Sequence, residues 1–306
     1  MVKPCFVAQG FFPERKTMID LRKLLTLVSA IIFLSTLSGT SLAAGDAKRG
    51  AYLAKIANCV GCHTEDRAGA VPYAGGRALK TPFGTFFGPN ITPDRVVGIG
   101  SWSETDFTRA MRFGVRPDKA AYFPSFPYHS YTKITDNDLQ DLWAYLLTLK
   151  PEKLASRPHE LGFFFQWRFS VQFWKWSFFT PGPFENDPDR SVLINRGAYL
   201  VQAVGHCGEC HTPRTVLGGP KKNRSLAGGK GPEGRQVPNL TPARLKKWSD
   251  RELKYFFATG ILPDGDMVAK TMAEVIKNST SQLTAADLSA IIAYLRSLPV
   301  IEDHPQ

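Results

Sequence analysis

Apolar residues recur at helical spacing in two widely separated stretches of the chain. Each stretch follows a threonine with an aspartate three positions later, the arrangement of a helix N-cap. The spacing predicts two amphipathic helices, whose apolar positions are Leu139, Leu142, Trp143, Leu146 and Leu149 in the first and Leu288, Ile291, Ile292, Leu295 and Leu298 in the second. Similar cap signals predict one earlier helix in each half, after Ser103 with Asp106 and after Ser249 with Glu252.

The two stretches belong to a longer internal repeat. The segment 49–53 recurs at 196–200, and the Pro-Asn turn at 89–93 recurs at 238–242. The landmarks keep the same order at an offset of 146 to 149 residues, which indicates a tandem duplication. The Gly/Pro-rich stretch inside each copy predicts little regular structure.

Each copy carries the motif Cys-x-x-Cys-His, at 59–63 and at 207–211. This spacing is the attachment signature of c-type haem. Two thiols on one helical turn form thioethers to the haem vinyl groups, and the histidine binds the iron as proximal ligand. The motifs therefore predict two haem c groups, attached through Cys59, Cys62, Cys207 and Cys210, with His63 and His211 on the irons. Cysteine pairs also occur in zinc sites, but zinc does not explain a histidine directly after both pairs.

These features predict an all-α protein in which each repeat wraps around one haem. The expected domains are residues 45–150 and 191–306, joined by a linker at 151–190 and preceded by a leader at 1–44. In the leader, Arg22 and Lys23 precede an apolar run, and Ser41-Leu42-Ala43 resembles a signal-peptidase site. Export to the periplasm is expected. The alternative is an uncleaved helix that anchors the chain to the inner membrane.

Charge and composition narrow the partners. The formal net charge is +11. This positive charge favours an acidic partner or an anionic membrane surface; the alternative is an ordinary solvated surface. The sequence contains no basic tract with interleaved aromatic residues, which would indicate nucleic-acid binding. The linker is dense in aromatic side chains, which are Phe163, Phe164, Phe165, Trp167, Phe169, Phe173, Trp174, Trp176, Phe178 and Phe179. They predict either a helix that packs the two domains together or, over residues 161–180, a surface for a partner subunit or a membrane.

The repeat landmarks resemble the cytochrome c subunits of membrane-associated bacterial dehydrogenases of the gluconate and alcohol dehydrogenase type. The resemblance covers residues 46–299 and is carried by RGAYLV, GHCGECHTPR, the N-I/L-T-P turns, MAEVIKNST and AIIAYLRSLP. It implies tandem class I cytochrome c domains. Members commonly carry three such domains, whereas two are found here. Related cytochromes serve molybdenum-containing aldehyde or heterocycle dehydrogenases, so either class of dehydrogenase is an expected partner.

The resemblance also implies a role for the Pro-Asn turns. In class I cytochromes the proline carbonyl accepts a hydrogen bond from the proximal histidine. Carried over, Pro89 orients His63 and Pro238 orients His211, which sets the imidazole tautomer and basicity. The alternative is that both are ordinary proline turns.

The sixth iron ligand differs between the repeats. The family places its ligand methionine at Met272 in the second repeat, with Met267 as the weaker alternative. The ungapped alignment of the repeats places Met272 opposite Phe126, which cannot bind iron. Met111 is aligned with Phe257 on a predicted helix and is expected to pack in the core.

Three outcomes remain open for the first haem. His129, three residues after Phe126, could bind the iron and lower its potential relative to methionine ligation. The site could instead be five-coordinate or water-bound. Tyr122 or Tyr128 could also occupy the distal side, as tyrosine does in some haem proteins.

The expected function is electron transfer from a dehydrogenase subunit toward an oxidase or the quinone pool. The sequence contains no catalytic triad, phosphate-binding loop or acid/base pair. The alternative is a peroxidase-like dihaem enzyme that uses an open first haem; its one support is the phenylalanine at position 126.

Overall fold

The computed structural model describes residues 45–231, 234–268 and 270–303, and these described residues belong to one compact unit. The predicted leader at 1–44 lies outside the described residues. The described chain is largely helical. Its α-helices are α1 (Ala47–Ile56), α2 (Cys59–His63), α3 (Glu104–Phe113), α4 (Tyr128–Tyr131), α5 (Asp136–Leu147), α6 (Phe169–Phe178), α7 (Val192–Tyr199), α8 (Gly208–His211), α9 (Pro242–Leu245), α10 (Asp250–Thr259), α11 (Lys270–Asn278) and α12 (Ala285–Arg296).

Short non-α elements complete the fold. 3-10 turns lie at Phe163–Phe165, Lys222–Arg224 and Thr280–Gln282, and a π-helix at Leu200–Val204 continues α7. The strands are β1 (Ala78–Thr81), β2 (Gly84–Phe87), β3 (Glu160–Leu161), β4 (Gly229–Lys230) and β5 (Gln236–Val237). They form antiparallel sheets in the orders β1-β2-β3 and β4-β5. The sequence predicted an all-α fold and did not predict these short strands. They lie in the Gly/Pro-rich stretches and in the linker.

The cap signals are found where the sequence predicted them. Ser103 with Asp106 and Ser249 with Glu252 form complete capping boxes at the starts of α3 and α10. Thr135 and Thr284 cap α5 and α12 by accepting hydrogen bonds from the backbone three residues later. These bonds satisfy backbone N–H groups that a helix start leaves without partners.

In each repeat the N-terminal helix crosses the closing helix at a glycine. A Cβ on Gly50 of α1 would lie 1.8 Å from the carbonyl oxygen of Asp141, and one on Gly197 of α7 would lie 1.9 Å from that of Ala290. Only glycine allows so close an approach. The crossings join α1 to α5 and α7 to α12, and they support the buried side chains Leu53, Leu139, Leu200 and Leu295.

The linker helix α6 is apolar on opposite faces. Val171 and Trp174 are buried against the body of the protein, whereas Phe169, Phe173 and Trp176 point outward and are 67%, 54% and 84% exposed. The linker therefore packs onto the domains as one alternative predicted, and it still presents an aromatic surface. No helix in the described ranges is long and apolar enough to cross a membrane.

The two repeats are joined by a reciprocal pair of hydrogen bonds. The Tyr52 hydroxyl on α1 donates to Asp287 of the second repeat at 2.8 Å, and the Tyr199 hydroxyl on α7 donates to Asp138 of the first repeat at 2.5 Å. Asp287 also accepts two hydrogen bonds from Arg196. Each closing helix thus begins on a carboxylate that is held by the tyrosine of the other repeat.

We expect Tyr52→Phe and Tyr199→Phe each to destabilise the protein by about 1.5 kcal/mol, because each removes a hydrogen bond to a buried carboxylate. The haem-loaded variants should unfold at lower denaturant concentration, and the double variant lower still. Tyr255→Phe, at a tyrosine that is 53% exposed, is the matched control. Single variants as stable as this control would show that the tyrosine–aspartate contacts contribute nothing.

Candidate haem-binding sites

The first motif forms the short helix α2, which follows α1 after a sharp turn. Asn58, the residue before Cys59, has a left-handed backbone with φ of 49°. The second motif is built alike: His206 precedes Cys207 with φ of 39°, and α8 follows. The same unusual conformation at equivalent positions presents both cysteine pairs from one helical turn, as thioether attachment requires.

Both motif histidines contact the proline carbonyl of the turn that the repeat comparison singled out. The Nδ1 atom of His63 lies 2.7 Å from the carbonyl oxygen of Pro89, and that of His211 lies 2.7 Å from the oxygen of Pro238. Since a carbonyl only accepts, Nδ1 carries the proton and Nε2 keeps its lone pair. Burial lowers the pKa of both histidines, against the raising effect of the proline carbonyls. The neutral tautomer with a free Nε2 is the form that binds iron.

Two buried asparagines hold these turns, and sequence reasoning did not assign them a role. The Asn90 side chain accepts from the Thr92 backbone at 2.9 Å and donates to the Glu152 carbonyl at 2.7 Å. Asn239 accepts from the Thr241 backbone and donates to the Ile301 carbonyl, both at 2.7 Å. The repeated Pro-Asn-x-Thr pattern was the signal for them, because an Asx turn needs this spacing.

The four motif cysteines are free and half-buried. Burial raises the pKa of Cys59 to about 12, that of Cys62 to about 11 and that of Cys207 to about 12. Two thiols on one helical turn, followed by a histidine whose Nε2 is free, are the donors that haem c needs.

The two motifs lie close to each other. The Cys210 thiol is near enough to raise the pKa of Cys62, beside the larger effect of burial. Tyr131 lies between the motifs: it is buried, donates to the Ala57 carbonyl at 3.4 Å and meets the ring of His206 at 5.4 Å. Burial raises the pKa of Tyr131 well above its usual value, and the thiols of the first motif add to this. The sequence did not predict Tyr131.

Glu209, inside the second motif, binds the segment that follows Phe126. One carboxylate oxygen lies 2.7 Å from Nε2 of His129 and 2.5 Å from the hydroxyl of Ser130, and the other accepts from Arg214 at 2.7 Å. Burial alone would raise the pKa of Glu209, but His129 and Arg214 outweigh it, and the pKa lies far below its usual value. The structure thus places His129 at the second motif.

The candidates for the sixth ligand lie in different surroundings. Met272 on α11 is partly buried against the core, whereas Met267 is 73% exposed. Met111 is 7% exposed and packs in the core, as expected. Phe126 packs against the rings of Tyr122 at 5.2 Å and Tyr131 at 5.7 Å.

Comparison with known proteins agrees with this arrangement. A family model for cytochrome c matches residues 47–150 and 194–299. The chain belongs to the cytochrome c family. Each matched segment contains one attachment motif, and a relative is a dihaem protein, so this cytochrome binds two haem c groups.

Three relatives show the range of the family. A dihaem c-type cytochrome of Cereibacter sphaeroides is 43% identical, over 84% of this chain and 88% of its own length. The fructose dehydrogenase cytochrome subunit of Gluconobacter japonicus is 41% identical over 82% of this chain and 52% of its own length. A nicotinate dehydrogenase subunit of Pseudomonas putida is 38% identical over 85% of this chain and 22% of its own length. The cytochrome thus spans about half of one dehydrogenase subunit and a smaller part of the other.

Replacing both cysteines of one motif should remove one haem and leave the other. We expect Cys59→Ala/Cys62→Ala and, separately, Cys207→Ala/Cys210→Ala to lower the haem content from two per chain to one. Pyridine haemochrome spectra and intact mass of protein matured in a bacterial periplasm measure this. Each variant is the control for the other. Two haems in either variant would exclude that motif as the attachment site.

Proposed function

We propose that this cytochrome is a periplasmic electron-transfer subunit that accepts electrons from a dehydrogenase and passes them to the respiratory chain. It does so as two tandem class I cytochrome c domains, residues 45–150 and 191–306. The observation that carries the proposal is the pair of matched His–Pro contacts, at His63 and His211, in motifs close enough to interact electrostatically. When bound, the haems supply reversible one-electron chemistry.

The protein contributes position and environment. In the proposal, the cysteines attach the two haems, and Pro89 and Pro238 orient the imidazoles of His63 and His211. Buried surroundings and the ligand on the distal side set the potential of each iron. Met272 is the proposed distal ligand of the second haem, because it is partly buried whereas Met267 is largely exposed.

The reciprocal Tyr–Asp contacts keep the repeats in one arrangement. Tyr52 and Tyr199 each reach across to the other repeat, and His206 lies 3.2 Å from the Ala57 carbonyl between the motifs. A fixed separation suits transfer between two cofactors, since the protein need not reorganise at each step. This feature supports a carrier in which electrons pass between the two sites.

The proposed partner is the catalytic subunit of a dehydrogenase, with an oxidase or the quinone pool downstream. The fructose dehydrogenase relative supports a sugar- or alcohol-oxidising partner, and the nicotinate dehydrogenase relative supports the heterocycle-oxidising alternative. These two classes of dehydrogenase differ in the substrate whose oxidation would supply electrons to the haems of the cytochrome.

The haem-loaded cytochrome should be reduced by the dehydrogenase encoded beside it when that enzyme's substrate is added. Mixing purified components and recording the reduced haem bands over time tests this, with the variant that lacks all four motif cysteines as control. If the dehydrogenase leaves the haems oxidised while the reduced protein turns over hydrogen peroxide, the peroxidase alternative replaces the carrier.

We further propose that the outer face of the linker binds the membrane surface. The exposed aromatic side chains there are Phe163, Phe165, Trp167, Phe169, Phe173 and Trp176. The cations beside them point inward: Arg168 donates to the Ala121 carbonyl and Lys175 to the Phe113 carbonyl, both at 2.6 Å. A face of exposed aromatic side chains, whose two neighbouring cations donate to backbone carbonyls, matches the headgroup region of a bilayer.

Serine at Trp167, Phe169, Phe173 and Trp176 should abolish sedimentation of the cytochrome with phosphatidylcholine vesicles, because it removes the aromatic side chains that would enter the headgroup region. The control replaces Tyr255 and Val300, exposed at 53% and 59%, with serine outside the linker. Vesicle binding that survives the fourfold change would exclude this face. Loss of binding to the dehydrogenase instead would assign the face to a partner subunit.

A further inference from the structure

The register between the repeats can be followed in the structure up to Tyr122 and Val268, just before the segments that carry Phe126 and Met272. Val115 forms an isolated β-bridge with Ala121, as Ile261 does with Met267. The backbone N–H of Tyr122 donates to the Gly114 carbonyl, as the backbone N–H of Val268 donates to the Gly260 carbonyl. Every pair keeps an offset of 146 residues. The two turns therefore keep one register, and continuing the sequence alignment without a gap places Phe126 opposite Met272, four residues later. Met272 lies on α11, whereas Phe126 lies just before α4.

Phe126 is connected to the first motif through Tyr131. Its ring packs on the Tyr131 ring at 5.7 Å, and the Tyr131 hydroxyl donates to the carbonyl of Ala57, two residues before Cys59. Tyr122 covers its other side. A hydrocarbon ring thus stands where the aligned position of the second repeat carries a thioether.

His129 points away from this position and is held there. Its Nε2 is bound to Glu209, and its Nδ1 is buried without a hydrogen-bond partner. The imidazole packs edge-on against Trp174 of the linker helix at 5.6 Å. Ser130 binds the same carboxylate oxygen, so two neighbouring side chains fasten the segment to the second motif. To reach the first haem, His129 would have to leave a buried carboxylate, which is costly.

The tyrosines offer no better donor. The Tyr122 ring packs edge-on against the Phe126 ring at 5.2 Å. The Tyr128 hydroxyl is buried without a hydrogen-bond partner, but its ring lies against Trp174 and Phe179, on the linker side.

We propose that the first haem has no protein ligand on its distal side and binds a small neutral diatomic molecule there, whereas the second does not. In this arrangement His129 is a positioning residue: it fixes the Phe126 segment to the second motif through Glu209. The inference rests on the proposed two-haem carrier and assigns it a ligand-binding site. Electron flow through the first haem would then be sensitive to the diatomic ligand.

The test uses carbon monoxide with the reduced, haem-loaded chain. We expect one CO bound per chain, and ferric EPR spectra with one high-spin and one low-spin haem. Phe126→Met should supply a thioether, remove the high-spin signal and abolish CO binding. The matched change Met272→Phe should open the second haem and raise the stoichiometry to two.

Two further variants separate the proposal from its competitors. His129→Ala and Tyr128→Phe should leave one high-spin haem and one bound CO. The proposal fails if the parent protein has two low-spin haems and binds no CO, or if either variant converts a low-spin first haem to high spin. A chain with two haems that is reduced by the dehydrogenase yet binds no CO would retain the carrier function and lose this inference. A chain with fewer than two haems would remove both.

Discussion

The close crossing of the first and last helices of each repeat determines where everything else lies. At Gly50 and Gly197 the helix backbones approach so closely that no side chain fits between them. The motif follows the first helix after a single left-handed residue, so the crossing also places the cysteines and histidine. The same crossing sets the N-terminus of the closing helix, where the aspartates that join the repeats are found. A shift at the glycine would therefore move the haem site and the contact between repeats together.

The duplicated parts are equivalent on the proximal side of each motif and differ on the distal side. The His–Pro contact and the Asn-anchored turn are present twice with nearly the same distances. Glu209 has no counterpart, because Gly61 occupies the equivalent place in the first motif. Glu209 fastens the segment that carries Phe126, whereas the carboxylate beside the first motif is Glu274 of α11, which accepts from Arg77 at 2.7 Å. Equal chemistry at the attachment sites thus coexists with unequal surroundings for the two irons.

Features set by neighbours in sequence could be predicted, and those set by distant partners could not. The caps at Ser103 and Thr284 need only residues three positions away, and they are found in the structure. The strand pairing of β2 with β3 joins residues 75 to 77 positions apart, in segments that show no clear alternation of apolar side chains. Tyr52 and Asp287 are separated by 235 positions, and no pattern in the sequence predicts their hydrogen bond. The attachment motifs were readily recognised, because their chemistry needs adjacent residues.

The reciprocal tyrosine–aspartate hydrogen bonds also determine how far each repeat depends on the other. Each repeat has its own helices, glycine crossing and motif, and it resembles a unit that could exist alone. A separated half, however, would lose the phenol that binds its buried carboxylate and would expose the surface around its own tyrosine. Asp138 and Asp287 each depend on a side chain from the other copy. Severing the chain in the linker would therefore leave each carboxylate only with the arginine of its own repeat, Arg49 at Asp138 and Arg196 at Asp287, so each half is stabilised by the other.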